Sequence, residues 1–273
     1  MKTIILGAAF CAFALTAAVA ASVPAYVAKA VADPSRPQTD VARDALRAPA
    51  ETLAFAGVKP GMVVAEFFPS GGYYTRMLSD VVGPNGKVYG IENPKWDKGE
   101  DAKMAAEPGH ANVAIAMAKF GEFVPPQKAD LVWITQNYHD LHVAEYGPVD
   151  MAAFNRRVYD GLKPGGIYFI LDHQANPGTD DAGIAKVHRI EKSVVIKEVT
   201  AAGFKLVGES NVLHRPADDH TKNVFRSCYQ EPHRSVPAEV SEGLIAQVIL
   251  SEAPGAFLTG GEICCPASTR VAQ

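Results

Sequence analysis

Between Asp40 and Phe225 the apolar positions of the chain switch repeatedly between two periods. Val41, Ala45, Leu46, Ala50, Leu53 and Ala54 recur at helical spacing behind a capping Asp40, until Gly57 and Pro60 end the pattern. A short apolar strand, Met62 to Phe67, leads through Pro-Ser-Gly-Gly into a helical stretch from Tyr73 to Val82. Strands are expected at Lys87 to Glu92, Val113 to Ala118, Ala129 to Thr135, Ile167 to Leu171 and Phe204 to Leu213. Between them lie a polar helix from Lys98 to Glu107, an amphipathic one from Val149 to Asp160, and one long helix from Ala182 to Ala202. Strands and helices alternate throughout, so the expected fold is α/β: a doubly wound, mostly parallel, Rossmann-like sheet with helices on both faces.

The ends of the chain read differently. Residues 1–20 carry Lys2, an apolar run and a small-residue end at Ala18-Val19-Ala20, the layout of an export signal, so the mature chain is expected in the periplasm or secreted. Residues 21–39, rich in Ala, Val, Pro and Ser, read as a linker, and residues 40–225 as the folded domain. With 48% hydrophobic and 21% charged residues the chain is of ordinary globular composition. Its formal charge of −4, with no basic run longer than Arg156-Arg157, argues against nucleic acid as a partner, and no membrane span is expected in the mature chain.

In such a sheet ligands sit at the carboxyl ends of the strands, and there the sequence concentrates its chemistry. The first strand ends in Glu66, and the loop through Ser70, Gly71 and Gly72 to Tyr73 opens a helix whose backbone amides can approach a ligand. Glu92 ends the second strand, placed to take both hydroxyls of a ribose. With Asp130-Leu-Val-Trp on strand four and Leu162-Lys-Pro-Gly-Gly before strand five, this order resembles the class I S-adenosylmethionine-dependent methyltransferases over about Val58 to Leu213. More narrowly it resembles a group of exported predicted methyltransferases, through Val58-Lys-Pro-Gly-Met, Gly71-Gly-Tyr-Tyr-Thr, Asn137-Tyr-His-Asp and Ala202-Gly-Phe. The resemblance implies S-adenosyl-L-methionine as cofactor, held by Glu66, Ser70, Gly71, Gly72, Tyr73, Glu92 and Asn137, and a small-molecule methyl acceptor. One departure stands out. Family loops carry three alternating glycines after the acid, and the corresponding positions here are Phe68, Ser70 and Gly72.

Candidate catalytic residues follow strands four and five. His139 and Asp140, in Gln136-Asn-Tyr-His-Asp-Leu-His142, and His173, after Asp172, can orient or deprotonate a nucleophile. Methyl transfer asks chiefly for positioning, so a structural histidine is an equal reading for each. His139, Asp140, His142 and His173 as metal ligands form a weaker alternative, and no metal is expected. A dinucleotide oxidoreductase is disfavoured because Gly-x-Gly-x-x-Gly is missing, and no Gly-x-Ser-x-Gly elbow supports a hydrolase. The altered glycine loop leaves a non-catalytic ligand-binding protein as the competing class.

After Phe225 the periodicity stops. Residues 226–273 hold Cys228, Cys264 and Cys265, an odd set for an exported chain. Read one base later, the codons permitted from Arg226 onward can spell a turn and then a strand with an apolar centre and a basic end. The tail is thus expected to be irregular, consistent with a shifted reading frame, and the sheet's final antiparallel strand to be missing or disrupted.

Overall fold

The computed structural model describes residues 22–119, 121–122, 125–225 and 248–251. The expected export signal and most of the tail lie outside them. Seven strands form one sheet: β1 (Val63–Phe67), β2 (Lys87–Glu92), β3 (Val113–Met117), β4 (Ala129–Thr135), β5 (Leu162–Leu171), β6 (Lys205–Gly208) and β7 (Val248–Ser251). Their order is β3-β2-β1-β4-β5-β7-β6, with β7 antiparallel to both neighbours. The final antiparallel strand, expected to be missing or disrupted, is present but only four residues long, with a register shift against β6 between Leu206 and Gly208. Val-Ile-Leu-Ser is an apolar, β-branched tetrapeptide of the kind that fits between two strands, and its shortness hid it in an aperiodic tail.

Nine α-helices lie among the described residues: α1 (Ala25–Val31), α2 (Gln38–Val41), α3 (Asp44–Arg47), α4 (Pro49–Phe55), α5 (Tyr73–Val82), α6 (Glu100–Ala105), α7 (Met151–Gly161), α8 (Asp181–Val187) and α9 (Lys192–Ala201). Alternation along the buried strands divides the core between the two faces. Val64, Leu131, Trp133, Phe169 and Leu171 meet α1, α4 and α5, while Ala65, Val132, Ile134, Tyr168 and Ile170 meet α7, α8 and α9. None of these helices is long and apolar enough to cross a membrane.

Three expectations change. The segment expected to be a linker carries α1, whose Val27 and Ala30 are buried against α4 and α5. The helical pattern after Asp40 breaks into α2, α3 and α4, with Ala48 left-handed (φ 37°) between the last two. The long helix expected from Ala182 breaks at His188 (φ 52°), after which Ile190 pairs with Gln174 and is fully buried.

The parallel strands β1, β2, β4 and β5 all end at one edge of the sheet, and the chain reverses its order between β1 and β4. That switch point fixes where a ligand can enter between loops.

Candidate active site

Glu66 points from β1 into the helix face of the sheet, is 2% exposed, and accepts a 2.6 Å hydrogen bond from the Thr75 hydroxyl of α5. Burial pushes its carboxyl up to about 8; the Thr75 bond opposes this, and the nearby carboxyls of Asp101 and Glu92 reinforce it. The loop that follows keeps the backbone that glycine would adopt. Phe68 (φ 56°), Ser70 (φ 49°) and Gly72 (φ 88°) are all left-handed, although the first two carry side chains. Phe68 is held there by packing, its ring 4.0 Å from that of Phe67 and 5.2 Å from that of Trp96. At Gly72 no side chain fits, because a Cβ would lie 2.6 Å from Met104 Cγ.

Across this loop a cavity of about 210 Å³ is lined by Phe68, Ser70, Gly71, Glu92, Trp96, Asp101 and Asn137, among others. Glu92 ends β2, accepts from the Asn93 amide at 2.6 Å and shares a hydrogen bond with Asp101. Burial first, then Asp101, pushes its carboxyl up to about 7. Asp101 also accepts from the Gly71 amide at 2.7 Å, bracing the loop against α6. Phe68, Ser70 and Asn137 are shared with a second cavity of about 250 Å³, which reaches Glu66, Tyr73, His139, Asp140 and His173.

In that second cavity the segment after β4 turns back on itself, with Gln136 left-handed at φ 61°. Its residues are tied to the end of β5. Asp172 accepts from the His139 amide (2.7 Å), from His139 Nδ1 (2.6 Å) and from the His173 amide (2.7 Å). His139 Nε2 faces Asp140 Oδ1 at 3.2 Å, and Asn137 Nδ2 donates to the other Asp140 oxygen at 3.1 Å. Burial opposes a charge on His139, yet Asp172 and Asp140 outweigh it and raise the imidazole to about 10. Burial would raise Asp140, but the imidazoles of His139 and His188 beside it and the hydrogen bond from Asn137 hold it well below the usual carboxylate range. His173 moves the opposite way: burial and the charges of His139 and Arg189 push it down to about 3, despite Asp172.

The sequence matches no protein-family model and no curated protein. Among solved structures it is similar to a SAM-dependent methyltransferase from Aquifex aeolicus, with 18% identity, a TM-score of 0.52 and coverage of 82% of this chain and 97% of that one. It is also similar to the CcbJ methyltransferase from Streptomyces caelestis, with 15% identity, a TM-score of 0.50 and coverage of 80% and 94%. The chain has the class I methyltransferase fold. In that methyltransferase-like sheet the residues expected from sequence fall into two adjoining places. Glu66, Ser70, Tyr73, Asn137, His139, Asp140 and His173 line the larger cavity. Ser70, Gly71, Glu92 and Asn137 line the smaller one, while Gly72 packs against Met104 instead.

Other site residues came without a sequence signal strong enough to select them. Asp101 sits in a short polar helix that reads as solvated surface. Arg43 and Arg47 stack over the Tyr73 ring, each 4.7 Å from its centre, and with Phe225 wall the outer cavity. They lie far from the strand ends in sequence, and only the folding of α2 and α3 over the sheet brings them there.

Proposed function

We propose that the chain is a methyltransferase that uses S-adenosyl-L-methionine to methylate a small molecule. The observation that carries this reading is the pair of joined cavities at the switch point. One holds the left-handed loop after β1 and the acidic tip of β2; the other holds the histidine and aspartate cluster. The residues present fit the cofactor. Glu92 offers two acceptor oxygens where a ribose would present hydroxyls, and Phe68 and Trp96 offer aromatic surface for a base. S-adenosylmethionine supplies an electrophilic methyl group. The chain's own part is to position the acceptor and exclude water. His139, flanked by two carboxylates, serves as a fixed orienting group and not as the base. His173 Nδ1 is buried and has no hydrogen-bond partner among the described residues, which suits it to accept one from the acceptor. Export, read from residues 1–20, belongs to the same proposal.

One observation favours a non-catalytic ligand-binding protein instead: the Gly71 amide is already satisfied by Asp101. Calorimetric titration of the mature protein with S-adenosylmethionine, S-adenosylhomocysteine and NAD separates the readings. Heat with both sulfur nucleosides and none with NAD is expected, and no heat with either nucleoside would sink the methyltransferase reading. Binding without transfer to any acceptor offered favours the second one.

A further inference from the structure

His139 and Asp140, at the wall of the larger cavity, and His188 beside them share one geometric peculiarity. Asp172 accepts from the ring at 2.6 Å, so the contact places a proton on His139 Nδ1 and leaves Nε2 to carry either a second proton or, in its place, a metal ion. That nitrogen is buried and faces Asp140 Oδ1 at 3.2 Å, yet it makes no hydrogen bond of acceptable angle. His188 Nδ1 approaches the same oxygen at 3.4 Å from the end of α8. A proton between His139 and Asp140 would call for a nearly linear N–H···O contact. A metal ion calls for something else: donors about 2.0–2.1 Å from a common centre, hence about 3.3–3.4 Å from one another at the tetrahedral angle. The separations to Asp140, 3.2 and 3.4 Å, lie within about 0.1 Å of that range.

We propose that His139 Nε2, Asp140 Oδ1 and His188 Nδ1 are the protein ligands of a divalent transition-metal ion, zinc being the first choice for two imidazoles and a carboxylate. The three donor atoms lie within 4.8 Å of one another, and His139 and Asp140 are buried. The surroundings have the form a metal site requires. Asp172 holds the far side of the His139 ring, as an outer carboxylate does for a ligating imidazole, fixing its tautomer and direction. Asn137 does the same for Asp140 by holding its second oxygen at 3.1 Å. His188 keeps a left-handed backbone (φ 52°) at the break between α8 and α9, a conformation that an imidazole gains nothing from by itself but that turns its ring toward Asp140. Since His139 and Asp140 also line the cavity, a coordination position is left for water or for an acceptor oxygen. The proposal does not depend on methyl transfer.

The test uses the untagged mature chain, stripped with a chelator and then titrated calorimetrically with Zn²⁺ alone, and with Co²⁺ alone while the visible spectrum is followed. One ion per chain with intense tetrahedral Co²⁺ bands is expected. His188→Asn keeps a residue tolerant of the left-handed backbone but removes the ligand, and should weaken Zn²⁺ binding at least 10-fold; Asp172→Asn should weaken it about 10–100-fold. The exposed His214→Ala change should leave it alone. No binding, or equal binding by wild type and His188→Asn, overturns the site. Should the variants fail to fold, X-ray absorption of the zinc-loaded wild type decides instead: two imidazole ligands support the site, fewer overturn it. Nucleoside titration of the stripped protein is read separately, so failure of the metal site and failure of cofactor binding are distinguishable.

Discussion

His139 Nδ1 and Asp172 Oδ1 lie 2.6 Å apart, with their side chains 1% and 0% exposed. The same carboxylate takes the His139 backbone amide, so one side chain at the end of β5 fixes both the ring and the turn of the segment after β4. Replacing Asp172 by Asn keeps the volume but removes the charge opposite a buried imidazole. Breaking such a pair from one side costs roughly 3–5 kcal/mol, because the remaining charge is left uncompensated in a poorly solvated place. Urea denaturation of Asp172→Asn should show a loss of that order, and a loss below about 1 kcal/mol would mean the pair is not formed.

On the proposed function, the carboxyl of Glu92 accepts from two hydroxyls of one ribose. Hydrogen bonds to a charged group contribute about 1.5–3 kcal/mol, so Glu92→Gln should weaken S-adenosylmethionine binding roughly 10–100-fold in calorimetry. Binding by the unaltered protein should tighten as pH rises through about 7, where Glu92 becomes a full acceptor. Equal affinity in wild type and variant would place the nucleoside elsewhere.

Two left-handed residues of the same loop separate strain from packing. Ser70 is exposed at φ 49°, and its hydroxyl makes only a 3.3 Å contact with the Phe68 carbonyl. Ser70→Gly relieves about 1–2 kcal/mol of left-handed strain and gives back roughly 0.5–1 kcal/mol in unfolded-chain entropy. A small net stabilisation, read as a slightly higher melting temperature, is expected. Phe68→Gly relieves the same strain but removes a buried ring packed at a tilt against Phe67 and Trp96. Loss of a buried phenylalanine costs about 3–5 kcal/mol, so packing wins and this variant should be clearly less stable. A Ser70→Gly protein that melts lower than wild type would show that the hydroxyl matters more than the backbone.

Much of this architecture is written in the periodicity, because strands buried on both faces must be apolar and amphipathic helices must repeat at 3.6 residues. β1, β2, β4 and α5 are therefore legible, as are Glu66 and Glu92 at their tips. What escaped depends on tertiary contact. The turn at His188 is invisible in a sequence whose apolar spacing continues into α9, since Ile190 leaves the helix to bury itself beside Gln174. Asp101 looks like any surface acid, and becomes a site residue only because α6 brings it to the Gly71 amide. His188 and Asp172 are visible as chemistry-bearing residues, but their meeting with His139 and Asp140 comes from two loops that only the sheet brings together.

Burial raises two carboxyls at the ends of β1 and β2, and this fixes the sign of a pH effect. The folded state keeps protons on Glu66 up to about 8 and on Glu92 up to about 7, whereas the unfolded chain releases them near 4.5. Between those values the unfolded state binds fewer protons, so stability falls as pH rises, by at most about 1.4 kcal/mol per pH unit for each group, and levels off above the folded values. Denaturation midpoints measured without ligand should decline from pH 5 to pH 8.5. Glu66→Gln should flatten the part of the decline nearest pH 8; an unchanged slope would show that Glu66 is ionised in the folded protein.

Most of the carboxyl-terminal tail follows no period, yet Val248–Ser251 enters the sheet between β5 and β6, pairing Ile167 with Ser251 and Ile170 with Val248 on one side and Lys205 with Ser251 on the other. A chain ended at Phe225 loses that strand. It leaves one side of β5 unpaired and separates β6, which already exposes Leu206 and Val207, from the rest of the sheet. Unpaired apolar edges recruit other chains, so the truncated protein should melt several degrees lower and scatter light at concentrations where the full chain does not. A monodisperse truncated protein with the same melting temperature would show that the strand contributes nothing. The alternative tail spelled by reading one base later from Arg226 makes the comparison sharper. We propose that it supplies a longer strand, with an apolar centre and a basic end, for the same place. A chain carrying that tail should melt above the chain carrying residues 226–273, because a longer strand closes more of the gap between β5 and β6. Equal or lower stability would count against a shifted frame and leave Val248–Ser251 as the strand that evolved with the fold.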